Sequence, residues 1–210
     1  MSALDKIAYA LDRRDEVPNQ ELATALAAKK DRRGIQEIAD NLWNKDKNIQ
    51  SDCLKVLYEI GFINPTLIAD YAPDFIKLLS GSNNRLIWGA MISLSTVADI
   101  RADEVFKHRS EIVREMETGS VITVDNAVKV LALAASHNSK FSGVLFPILL
   151  KHLQTCRPKD VPQHAEKSLP AINSRNKDQF VKVLEKRMID MTGSRAARVK
   201  KVVKQANVTR

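Results

Sequence analysis

Few side chains in this sequence could carry out chemistry, and their spacing argues against the common reactions. The four histidines, His108, His137, His152 and His164, lie far apart, and none is followed by Glu. A zinc site carried on one helix shows paired ligands such as His-x-x-x-His. No such pair is present, and Cys53 and Cys156 read as having no ligand-spaced neighbour. Glycine-rich loops that cradle phosphate through backbone N–H groups are also missing, because Gly81-Ser-Asn-Asn and Thr192-Gly-Ser read as turns between helices. Met188 and Met191 read as core filler rather than soft ligands. The sequence therefore predicts a non-enzymatic protein with no metal and no cofactor.

The elements that must position these residues are written in repeats. In residues 85 to 98, Ala90, Leu94 and Val97 fall at i, i+4 and i+7, one stripe of an α-helix. The stripe reads Cys53, Leu57, Ile60 when stepped back 37 residues, and Ala127, Leu131, Ala134 when stepped forward 37. Another 38 residues give Ala165, Leu169, Ile172. A second stripe keeps the same interval between those helices: Ile38, Phe75, Ile112 and Leu149, then four residues on Leu42, Leu79, Met116 and Leu153. Two amphipathic helices every 37 residues or so predict an all-α chain, a right-handed α-α superhelix in which each unit packs on its neighbours.

Composition agrees with stacked helices. Hydrophobic residues make up 44% and charged ones 28%, the balance of a folded rather than a disordered chain. Seven glycines and seven prolines are too few for a sheet-and-turn protein, and 5% aromatics imply an aliphatic core. The opening Met1-Ser-Ala-Leu-Asp-Lys-Ile mixes charges within one turn, unlike a signal peptide, and the apolar run 144–150 is too short to cross a bilayer. Both cysteines read as reduced thiols, so the expected location is cytoplasmic. The net charge of +8 sits at one end: residues 175 to 210 hold eleven Lys or Arg against three acidic residues, while the first 174 carry 22 of each sign.

Along the chain, the pattern predicts a helix over 3–13 with Leu4, Ile7, Ala8 and Leu11 on one face, then a second opened by Pro18 and running to about Lys30. These two (residues 1–33) are expected to cap the stack. Five pairs follow over 34–206: 34–43 with 48–60, 73–79 with 84–98, 109–117 with 124–136, 142–154 with 161–172, and 178–191 with 195–205. Gly61 and Pro65 are expected to end the helix before them, a short helical turn is expected through Leu67 and Tyr71, and Asn207 to Arg210 are expected to fray.

This arrangement resembles the HEAT repeat family, with the similarity covering about residues 34 to 206. A HEAT unit carries a proline in its first helix and an Ala-x-x-x-Leu-x-x-Ile stripe in its second; Pro73 precedes Ala90 by 17 residues and Pro147 precedes Ala165 by 18. The Asp and Arg that bond successive HEAT units are absent, with Ile87 three before Ala90 and Gln50 and Val124 at the equivalent places. The resemblance implies an armadillo-type α-solenoid of about five HEAT-like pairs. It also implies a concave surface, lined by the second helices, that receives a partner. HEAT-like di-iron hydroxylases use His-Glu pairs, which this chain lacks. HEAT-like alkylpurine glycosylases use a cleft with Trp, Asp and Arg, and Trp88 and Asp125 lie one repeat apart on the expected concave face.

Two columns face outward from the second helices: Ser51, Trp88, Asp125, Gln163, and one turn on Lys55, Ile92, Lys129, Lys167. Trp88 and Ile92 interrupt polar columns, and Trp is enriched at binding hot spots. The competing reading lays Trp88 over the neighbouring helix, with Gly89 leaving room. The expected partner is a protein or peptide held by Trp88, Ile92, Lys55, Lys129, Asp125 and Lys167. The alternative is nucleic acid, met by the basic terminal unit through Arg195, Arg198, Lys200, Lys201 and Lys204, where binding would depend on counterion release. No membrane contact and no small-molecule substrate is expected.

Overall fold

A computed structural model of the chain describes residues 2–189 and 191–209. Asp190 and Arg210, which the reading above includes in a helix and a frayed end, lie outside the described residues. Among the described residues there are twelve α-helices and no strand.

The helices are α1 (Val17–Lys29), α2 (Arg32–Asp40), α3 (Lys47–Ile63), α4 (Ala72–Leu78), α5 (Asn84–Val97), α6 (Ala102–Lys107), α7 (Arg109–Thr118), α8 (Val121–Ser136), α9 (Ser139–Thr155), α10 (Val161–Ser168), α11 (Lys177–Met188) and α12 (Gly193–Val208). Many start where a short polar side chain can accept a bond from an orphan N–H of the first turn. Asp31, Asp46, Asn83, Ser120 and Asn138 do so for α2, α3, α5, α8 and α9.

Helices α1, α3, α5, α8, α10 and α12 pack on one another in that order and make one layer. Helices α2, α4, α7, α9 and α11 cover its other side, with α6 lying against α8. The stripes explain this layering. Cys53, Leu57, Ile60, Ala90, Leu94, Val97, Ala127, Leu131 and Ala134 are all completely buried, and so are Ile38, Phe75 and Ile112 from the outer helices. Small residues at the first stripe position let neighbouring inner helices approach closely. Buried apolar residues divide into two clusters, one from Ala3 to Leu149 plus Ala171, the other from Phe146 to Ala206.

Four expectations need correction. Residues 3–13 form only a 3₁₀ turn, Leu4–Lys6, followed by an irregular loop with Asp12 at φ 53°. The N–H of Ala8 donates to Asn19 Oδ1 (2.9 Å) and that of Tyr9 to Asp52 Oδ2 (2.7 Å), so tertiary partners replace the helical carbonyls. Helix α3 continues through Gly61 and stops at Ile63, before Asn64-Pro65, because a residue preceding proline is pushed out of the helical region. Helix α6 fills a stretch assigned no element, its two buried residues, Ala102 and Val105, being too few to show a period. Helix α12 runs to Val208, past the expected fraying point, with Lys177 Nζ bonded to the carbonyls of Asn207 and Thr209.

Among the described residues, one buried side-chain group in the inner layer lacks a partner. Ser95 Oγ makes no hydrogen bond although the residue is 1% exposed. Ser95→Ala is therefore expected to raise the free energy of unfolding by about 1 kcal/mol, because it removes an unsatisfied polar group. Denaturant titration of the two proteins checks this.

Candidate functional site

Two groups of predicted residues come together on the inner layer. At its first half, Lys55 is nearly buried and its Nζ lies 2.7 Å from both Glu16 and Glu59. Burial opposes its charge, but the two carboxylates outweigh burial and hold the amine above its ordinary range. Glu16 belongs to the segment leading into α1, so this lysine is already occupied by its own chain. Trp88 is partly exposed and sits beside Lys55, Glu16 and Arg85, its ring 6.5 Å from Tyr58, which in turn meets Phe62 edge-on at 6.0 Å. Ile92, one turn further, is also partly exposed. Gly89 admits Leu54 from α3 so closely that a Cβ would meet its Cδ2 at 2.7 Å. Both readings of Trp88 thus describe part of its surroundings, a flank packed on α3 and a face left open.

The second half gathers Asp125, Lys129 and Lys167. Burial lowers the pKa of Lys129. It lowers that of Lys167 as well, where the positive charge of Lys129 adds to the effect and Asp125, 3.9 Å away, opposes it. Among the described residues, no carboxylate lies within ion-pair distance of Lys129. Two half-buried amines side by side are poorly hydrated cations with a carboxylate at one flank, a setting that favours an incoming anion.

Beneath Asp125 lies a cluster that sequence reasoning missed. Asp125 Oδ1 is 2.8 Å from His164 Nε2, and His164 Nδ1 is 2.9 Å from His152 Nε2. Asp125 also accepts a bond from Gln163. Cys156 stands one turn after His152, and its sulfur and the two ring nitrogens all lie within 4.8 Å of one another. Histidines far apart in the sequence, and a cysteine expected to have no ligand-spaced neighbour, are thus brought together by the fold, which corrects that expectation. The signal was present: His152, Cys156, Asp160 and His164 follow at four-residue steps. Burial, aided by His164, pushes His152 down to about 4, and burial pushes the Cys156 thiol up to about 11. Cys53, also buried, is pushed up to about 12 and has no such company.

The basic terminal unit is exposed on α12, with Arg195, Lys200, Lys201 and Lys204 facing solvent. Arg198 is not free: its guanidinium grips Glu166 of α10 at 2.9 and 2.6 Å. The structure does not bring this unit together with Lys55 or Trp88.

Inner and outer helices stacked from α1 to α12 define an armadillo/HEAT-like repeat solenoid. Solved structures share this fold. An engineered protein (target OR329) superposes with a TM-score of 0.68 at 16% identity, covering 99% of this chain and 97% of its own. A designed armadillo repeat protein in complex with the peptide (KR)4 gives 0.68 at 16% identity over 90% and 87%. A computationally designed armadillo repeat protein for modular peptide recognition gives 0.66 at 14% identity over 88% and 86%. No protein-family profile matches the sequence, and no curated protein aligns with it significantly.

Proposed function

We propose that the protein is a non-enzymatic scaffold that binds an extended protein or peptide segment along the open face of its inner helices. The observation that carries this reading is the partly exposed Trp88–Ile92 pair on α5, together with the half-buried amines of Lys129 on α8 and Lys167 on α10 of the same inner layer. Together they suit a segment with a large apolar side chain flanked by carboxylates. The aromatic supplies contact area at small entropic cost, and the amines supply charge-assisted bonds in a poorly solvated setting. Peptide binding by the designed armadillo proteins supports a peptide groove in general; the (KR)4 bound by one of them is basic, so the preference for carboxylates rests on Lys129 and Lys167. The two free thiols, Cys53 and Cys156, favour a reducing, cytoplasmic setting.

Fluorescence anisotropy with labelled peptides that pair Leu or Trp with Asp or Glu tests the reading. Trp88→Ala, judged folded by its melting curve, is expected to weaken binding by about 30-fold, the loss of a hot-spot residue worth about 2 kcal/mol. Unchanged affinity would remove Trp88 from the site. Arg195, Lys200, Lys201 and Lys204 support the nucleic-acid alternative. A duplex or single strand bound at low salt and released steeply at physiological salt, with no peptide bound, would overturn the peptide reading.

A further inference from the structure

We infer that His152, Cys156 and His164 form a binding site for a divalent transition metal of the zinc type, with Asp125 orienting His164 and a fourth position open to water. This stands apart from peptide docking and does not depend on it.

The geometry is built from three elements. His152 and Cys156 lie one turn apart at the end of α9, so both point to the same side. His164 enters from the first turns of α10, and Asp125 reaches it from α8. The three ligand atoms already surround a common point within 4.8 Å of one another. A tetrahedral zinc with bonds of about 2.0–2.3 Å requires ligand separations of about 3.3–3.6 Å. The two nitrogens, at 2.9 Å, must open slightly, and the sulfur must swing inward by about an ångström. Cys156 is the residue that caps α9, so this asks for a side-chain rotation at a helix end and leaves the core in place.

The surroundings prepare the donors. His164 is 2% exposed, and the carboxylate of Asp125 on its Nε2 fixes that nitrogen as the donor. Nδ1 then carries the lone pair, aimed at the position shared with His152 and Cys156. A carboxylate behind a ligating imidazole is the arrangement that sets the tautomer and raises basicity in zinc proteins. A hydrogen bond between two imidazoles fills this space without metal, and the Cys156 thiol then donates to the Leu153 carbonyl at 3.9 Å, a contact that metal binding would replace.

The ligands themselves can balance a dication. Once bound, Cys156 gives up its proton to solvent and becomes a thiolate. That thiolate and Asp125 then offset two positive charges; of the cations nearby, Arg157 is held by Asp160 at 2.6 Å, Arg187 is turned onto the backbone carbonyls of Gln154 and Cys156, and Lys167 lies 3.9 Å from the far oxygen of Asp125. A cavity of about 260 Å³ adjoins the cluster, lined also by Glu117, Arg157 and Asp160, and gives the ion an entry path and room for its water. The two imidazoles and one thiolate exclude calcium and magnesium, which prefer oxygen. The position has a structural meaning as well. Leu149 and Leu153, on either side of His152, belong to different core clusters, so a metal here would tie α9 to α10 at the boundary between the two clusters.

The test uses the full chain, reduced and stripped with a chelator, titrated with Co²⁺ and then with Zn²⁺. One equivalent of cobalt is expected to bind, with a thiolate-to-cobalt charge-transfer band and the intense visible bands of a four-coordinate ion. Zinc should displace it and raise the melting temperature. Cys156→Ser is expected to abolish the charge-transfer band and weaken zinc binding at least tenfold, and Cys53→Ser to change neither. Asp125→Asn should keep the band but weaken binding by about 10–100-fold, as loss of an outer-shell partner does. Absence of a saturable cobalt spectrum in the unaltered protein would overturn the assignment whether or not the variants fold. A band that survives Cys156→Ser would overturn it too.

Discussion

Phe180→Ala is expected to lower the free energy of unfolding by about 3–5 kcal/mol, the cost of emptying an aromatic from a packed core. Phe180 is 1% exposed in α11 and sits among Leu153, Val161, Ala165, Leu184, Val199 and Val202. The location of the damage is the sharper part of the expectation. In a solenoid each unit is stabilised by itself and by its neighbours, so a loss at one end need not spread. The apolar core is already divided near Leu149, with Phe180 wholly in the second cluster. Amide exchange in Phe180→Ala should therefore accelerate in α10, α11 and α12 while α3, α5 and α8 keep their protection. Leu94→Ala, completely buried in the first cluster, should cost about 2–5 kcal/mol and loosen α3 through α8 instead. Equal loss of protection along the whole chain in Phe180→Ala would show that the two clusters unfold as one.

The fold was legible because the same physical requirement recurs. The four central inner helices, α3, α5, α8 and α10, must each present a small residue, then a larger one a turn later, to their neighbours, and the sequence repeats that demand at Cys53, Ala90, Ala127 and Ala165. Where the repeat fails, so did the reading. Leu4, Ile7, Ala8 and Leu11 have helical spacing, yet Asn19 and Asp52, distant in sequence, capture the N–H groups of Ala8 and Tyr9. Leu11 is left 50% exposed. Periodicity registers which side chains are apolar and is blind to such tertiary bonds.

The binding face was half legible. The columns placed Trp88, Asp125, Lys129 and Lys167 on the inner layer, but they carried no information about Glu16, which arrives from outside the repeat and neutralises Lys55. The metal-like cluster needed one step more. Asp125 and Gln163 share a column, and His164 follows Gln163, so the repeat itself sets His164 against Asp125. His152 approaches from an outer helix, and only the turn at 156–160 that joins α9 to α10 brings it to His164.

Two helical glycines should respond to the same substitution with opposite signs. Gly143 lies inside α9, and a Cβ there would meet nothing within 4 Å. Gly143→Ala is expected to stabilise by about 0.5–1 kcal/mol, since alanine restricts the unfolded chain and prefers the helix. Gly61 has the same helical setting in α3, yet its Cβ would lie 2.3 Å from Thr96 Oγ1, 2.8 Å from Ile68 Cδ1 and 2.9 Å from Thr96 Cβ. Thr96 cannot turn away freely, because its hydroxyl donates to the carbonyl of Ser93 at 2.7 Å. Moving it breaks that bond or pushes α5 away from α3, one of the tightest contacts of the inner layer. Overpacking of this kind costs about 1–3 kcal/mol, more than the gain of about 1 kcal/mol in helix propensity. Gly61→Ala is therefore expected to destabilise by up to about 2 kcal/mol, and Gly61→Val by more, in denaturant titrations run beside Gly143→Ala. A stabilised Gly61→Ala would mean that α3 and α5 sit farther apart than the close approach at Thr96 requires. The glycine that resembles a helix stop in the sequence would then owe its place to something other than packing.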